Sequence, residues 1–171
     1  MRHPRGPLVW GLIAALALAT LAFAGDKKHK NQYQNIEVVG FDIKEGVQFP
    51  ADYLHTMTEE LVSQLQQTGK FGQVLREGET PDKADAHTIR LTGTVIEFHP
   101  GSRAKRYLVG FGSGKTKIVA HVKFVDKATG EVLFEDNVDG KVWIGGVGGE
   151  SIGATRGLAK EVAKVGKQQF F

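Results

Sequence analysis

The 171-residue sequence has no cysteine. That excludes disulfides, cysteine nucleophiles and thiolate metal sites, and it removes the residue to which an amino-terminal lipid is attached. An exported domain of this length has a core large enough to do without disulfides. Charge of one sign is scarce as well. The 22 Lys and Arg residues against 19 Asp and Glu leave a net charge of +3, so no argument for nucleic acid can rest on the overall balance, and any electrostatic argument must be local. Internal repeats and a second domain are also missing. The one long apolar run, Leu8 to Ala22, is shorter than the roughly 20 residues a spanning helix needs.

That run is the most informative feature present. It follows Arg2 and Arg5, ends in Ala22-Phe23-Ala24 and gives way to Gly25-Asp26-Lys27-Lys28. A basic start, an apolar middle and small residues at a cleavage point form a secretory signal. Residues 1–24 are therefore read as a signal peptide cut near Ala24. The chain is expected in the periplasm or outside the cell, and it is not expected to be a lipoprotein. Arg2 and Arg5 leave with the leader, which contains no acid, so the charge of residues 25–171 falls to +1.

Residues 25–34 read as a flexible polar tail and 35–171 as a single domain. Ile36 to Ile43 reads as a strand. Pro50 opens a helix with an apolar stripe at Leu54, Met57, Leu61 and Leu65, ended by Gly69. Phe71 to Arg76 is a short strand. Ile89, Leu91 and Val95 alternate, and the phase then moves to Ile96 and Phe98, which predicts a bulge or a strand end buried on both sides. Ile118, Ala120, Val122 and Phe124 share one face of the next strand, with Lys117, His121 and Lys123 on the other. Asp126 to Gly130 is a turn with glycine available for positive φ. The following strand begins at Glu131 and extends toward Ile144, with Val132, Phe134, Val138 and Val142 inward and a bend near Asp139-Gly140. After Gly145 to Gly149, a helix capped by Ser151 carries Leu158, Val162 and Val165. The order predicts an α+β fold: a mainly antiparallel sheet of four to five strands with two helices packed on one face.

Several motifs invite chemistry and fail. Gly110-Phe111-Gly112-Ser113-Gly114-Lys115-Thr116 lacks the first glycine of a phosphate-binding loop, since Val109 occupies that place, and it precedes a strand where a true loop precedes a helix. Gly149-Glu150-Ser151-Ile152-Gly153 has the form of a nucleophile elbow, but no histidine or aspartate follows it. His29, His55, His87, His99 and His121 have no zinc spacing. Asp136, Asp139 and Gly140 lack the alternating oxygens of a calcium loop. Glu59 and Glu60 read as solvated. No catalytic set, metal site or cofactor is expected.

One local cluster remains. Arg103, Lys105, Arg106 and Tyr107, with Gly110, Gly112, Gly114 and Lys115, offer forked donors, exposed backbone amides and an amphipathic ring. Lys117 would stand across the turn. The plain reading is a solvated loop; the sharper one is a site for an acidic ligand or a partner surface.

The stretch from Ala84-Asp85 through Gly101-Ser102-Arg103-Ala104-Lys105-Arg106-Tyr107 to Gly110-Phe111-Gly112-Ser113-Gly114, with Asp126 to Gly130 and Gly145 to Gly149, resembles a bacterial exported family, domain of unknown function 4410. The resemblance implies export and no particular activity. Many members look like lipoproteins, and this chain departs there. The expected function is that of a non-enzymatic envelope protein acting as a binding or assembly module on an envelope protein partner. The alternative is a binder of a small anion or membrane head groups through the basic glycine loop. Nucleic acid is not expected.

Overall fold

The computed structural model describes residues 29–83, 87–100, 116–141 and 150–171. The elements are β1 (Asn35–Val38), β2 (Asp42–Ile43), α1 (Ala51–Gln67), β3 (Gln73–Arg76), β4 (Thr88–His99), β5 (Lys117–Asp126), β6 (Val132–Lys141) and α2 (Glu150–Phe170). The fold is α+β. Its six-stranded sheet runs β3-β1-β4-β5-β6, with β2 also paired to β4. The sheet therefore has one strand more than the upper end of the expectation. β4, β5 and β6 pair antiparallel over their length, whereas β1 pairs parallel with both β3 and β4.

The extra strand comes from a break in the first. The strand expected over Ile36 to Ile43 is interrupted between Val38 and Asp42, and β1 and β2 each pair with β4. Phe41 causes the detour. It is buried, and its ring fills the space that a side chain at Gly93 would occupy: a Cβ there would lie 2.4 Å from Phe41 Cε2. A glycine inside a strand here marks a close approach.

The bulge in β4 falls where the apolar phase shifts, between Val95 and Glu97. The inward rows are Ile89, Leu91 and Val95 on β4 and Ile118, Ala120, Val122 and Phe124 on β5, each fully buried. Both helices cover this face. Met57, Leu61 and Leu65 of α1 and Leu158, Ala159 and Val162 of α2 complete the core. Pro50 sits just before α1, and Gly69 follows it with φ of 60°. The 126–130 turn forms as read: Asp126 Oδ1 accepts the amides of Ala128 and Thr129, and Gly130 has φ of 77°.

Four expectations change. Val132 is exposed rather than inward, because β6 carries an irregularity that leaves Leu133 without a partner between Val132 and Phe134. Pairing then runs unbroken through Asp139 and Gly140. Gly140 is instead the place where α2 meets the sheet: a Cβ on it would lie 2.6 Å from Leu158 Cβ and 2.7 Å from the Ala154 carbonyl. Ser151 lies within α2, which begins at Glu150, and not ahead of it. The tail expected over 25–34 is, in its described part, a docked turn. Tyr33 is buried, its hydroxyl donates to Asp126 Oδ2 at 2.9 Å, and the Asn31 amide donates to the Phe170 carbonyl at 2.7 Å.

Candidate functional site

With both helices on one face, the other face of the sheet, among the described residues, carries mostly polar side chains, with Val119 and Val125 among them. Alternation fixes which ones. On β4 these are Arg90, Thr92, Thr94, Glu97 and His99; opposite them in register on β5 stand Val125, Lys123, His121, Val119 and Lys117. Charges of opposite sign meet across strands, a favourable pairing on a sheet. Lys123 Nζ lies 3.1 Å from Glu135 Oε2, and Lys117 Nζ donates to Glu97 Oε2 at 3.2 Å. His121 Nδ1 is 2.9 Å from Asn137 Oδ1, with its other nitrogen 3.5 Å from Glu135. Hydrogen bonds from Lys123 and Lys117 hold the Glu135 and Glu97 carboxyls below their ordinary range. A shallow hollow on this face is lined by Asp42, Thr92, Thr94, His121 and Lys123.

At one side of the same face lies a charge cluster that periodicity did not single out. Glu37 Oε2 accepts from Arg90 Nε at 2.8 Å, and Oε1 accepts from Lys127 Nζ at 2.9 Å and from the Gly78 amide. Its side chain is 1% exposed. Burial pushes this carboxyl up, but hydrogen bonds from Arg90, Lys127 and Gly78 outweigh it, and the net shift is downward. The signal in the sequence is a glutamate inside an apolar strand, Ile36-Glu37-Val38, in register with Arg90 of the next. A buried charge needs a partner.

The proposed binding residues Arg103, Lys105, Arg106, Tyr107, Gly110, Gly112, Gly114 and Lys115 lie outside the described residues, as do Gly145 to Gly149 and the leader. Their flanks are described. His99, Lys117 and Lys141 stand opposite one another in register on β4, β5 and β6, at the end of the sheet from which the chain leaves for residues 101–115. Lys117 is already engaged by Glu97. Among the described residues no group of His, Asp and Glu is placed to hold a metal ion, and no helix is long and apolar enough to cross a membrane.

A family model described as Domain of unknown function (DUF4410) matches residues 41–152, from just before β2 into the start of α2. The chain belongs to the DUF4410 family. The match takes in the Gly-Ser-Arg-Ala block and both glycine-rich segments on which the resemblance rests. Among solved structures, the DUF4410 chain is similar in fold to the PelC dodecamer of Paraburkholderia phytofirmans, with a TM-score of 0.53 and 19% identity over 78% of this chain and 89% of that one. A point variant of PelC gives 0.52 and 16%, over 78% and 86%. A DUF330 protein from Xanthomonas campestris gives 0.50 and 10%, over 80% and 83%. No curated protein matches the sequence.

Proposed function

We propose that this DUF4410 chain is an exported cell-envelope protein that acts by binding, as an interaction or assembly module, and not by catalysis. The leader pattern of residues 1–24 supports export, with cleavage after Ala24. The absence of cysteine from the sequence supports a form without an attached lipid. The observation that carries the assembly reading is the likeness in fold to PelC, itself a dodecamer. Among the described residues, the shallow hollow over Thr92, Thr94, His121 and Lys123 and the largely polar sheet face around it suit contact with another surface better than enclosure of a substrate. The test is fractionation and crosslinking in the native host. The expected result is a mature chain beginning at Gly25, found in the envelope fraction and joined to a defined partner. A chain retained in the cytoplasm, or one with no specific crosslinked species, overturns the proposal.

A second reading has its own observation. The row His99, Lys117 and Lys141 places basic residues at the end of the sheet from which the Arg103 to Lys115 segment departs. This favours a small anion held by Arg103 and Arg106 with Lys105, Tyr107, Lys115 and the amides of Gly110, Gly112 and Gly114. A ligand that binds only the folded state raises the melting temperature. A panel of phosphates, acidic sugars and lipid head groups is expected to give one stabilising compound whose effect vanishes in the Arg103→Ala/Arg106→Ala variant. A flat panel removes this reading.

A further inference from the structure

The outward side of the helix layer is a second surface, and its charge is divided. α1 and α2 run in the same direction and keep pace: Leu65 lies beside Gly166, and Phe71 and Phe171, just beyond the two helices, stack edge to face 5.1 Å apart. α1 turns Asp52 and Glu59 outward, with Glu60 on its side toward α2. α2 turns out Arg156, Lys160, Lys164 and Lys167, all exposed, at spacings that place them on one side of the helix. Like charges four residues apart repel. Arg156 is answered by Glu60 at 2.9 Å and Lys164 by Glu161 at 3.1 Å, and Glu59 already accepts from Arg76 at 2.8 Å. Lys160 and Lys167 have no acidic partner among the described residues. A shallow groove runs along α1, lined by the charged Glu59, Glu60 and Arg156 together with the uncharged Thr56, Ser63, Gln64 and Gln67.

We infer that this helix layer is a self-complementary dimer face whose occupant is a second copy of the chain; the inference rests on the assembly reading above and names its partner and surface. In a two-fold dimer the same patch meets itself. A two-fold axis running along the helices sets the basic crest of each copy on the acidic crest of the other. An axis running across them would set like on like. The charge division therefore selects the first. Because the helices keep pace, that axis brings Lys160 of one copy level with Glu59 of the other, twice over, and Lys160 would share that carboxylate with Arg76.

The experiment is sedimentation of the full-length chain, expressed with its own leader, at low and high salt. A dimer is expected, weakened by salt because the charges are exposed. Lys160→Glu and Glu59→Lys should each raise the dissociation constant at least tenfold, and the two together should restore it. Lys160→Glu is the cleaner arm, since Glu59→Lys also removes the pair with Arg76; a melting curve of each variant confirms folding. A monomer under all conditions overturns the inference. An oligomer indifferent to both reversals also overturns it, while leaving the assembly reading to its own crosslinking test.

Discussion

Glu37 shows how much a single buried charge can couple in this fold. Its carboxylate joins β1 to Arg90 on β4, Lys127 in the 126–130 turn and Gly78 beyond β3. Its folded pKa lies below the ordinary 4.5. The stability it contributes is therefore fully present above that value and is lost as pH falls through the folded one. Asp126 shifts in the same direction, chiefly through the Thr129 amide. Glu37→Gln keeps the shape and removes the charge. It should cost about 1–3 kcal/mol at pH 7 in urea denaturation, and its stability should fall less steeply than wild type below pH 4.5. Parallel acid limbs would assign the titration elsewhere. Tyr33 acts at the opposite extreme. Burial, and then the hydrogen bond to Asp126, raise its pKa above the ordinary 10.0, so its contribution is present below pH 10 and lost above it. Tyr33→Phe should cost about 1 kcal/mol at pH 7 and flatten the alkaline limb; an unchanged alkaline limb would exclude Tyr33 as its source. Neither partnership was legible in the sequence, because the Glu37–Lys127 and Tyr33–Asp126 pairs join residues 90 and 93 positions apart. The binding residues proposed between Arg103 and Lys115 were legible only as composition, since a basic glycine-rich run states its charge and not its geometry.

At the scale of elements, period carried the reading where one face of a strand is buried. The shift from Val95 to Ile96 and Phe98 marks the β4 bulge, because an added residue must exchange the two faces. Period is silent where an element's limit is set by something packed against it. Gly140 read as a bend, yet the ladder passes straight through it, and its lack of a side chain serves α2. Gly140→Ala should destabilise by about 1–3 kcal/mol, since the clash includes the Ala154 backbone and α2 cannot yield locally. Gly166→Ala provides the contrast. Its Cβ would meet side-chain atoms alone, the Phe124 ring at 3.3 Å and Leu65 Cδ2 at 3.9 Å, and alanine gains about 1 kcal/mol over glycine within a helix. Denaturation should place Gly166→Ala well above Gly140→Ala in stability. The reverse order would mean that α2 does not rest on β6 at Gly140.

For the molecule as a whole, the fold class follows from the helices and the antiparallel trio, all plain in the sequence. The placement of β1 between β3 and β4 does not, because periodicity identifies strands and not their neighbours. That central, parallel position has a consequence at the amino-terminal side. β1 enters the middle of the sheet, so the residues before it must cross the end of the core, and they are held there. Tyr33 packs edge-on against Phe170 with ring centroids 5.9 Å apart, Asn31 bonds the Phe170 carbonyl, and the Gln34 amide bonds the His87 carbonyl. The turn over residues 29–34 thus clasps the last turn of α2 to the sheet. A chain begun at His29 should match one begun at Gly25 in urea denaturation. A chain begun at Asn35 loses the burial of one aromatic side chain, worth about 1.5–3 kcal/mol, and the Tyr33–Asp126 bond, worth about 1 kcal/mol. It should therefore be about 2.5–4 kcal/mol less stable, with the Phe170 end of α2 exchanging amide protons before the rest of the helix. Equal stability of all three chains would show that the turn rests on the core without holding it, and that the domain begins at β1.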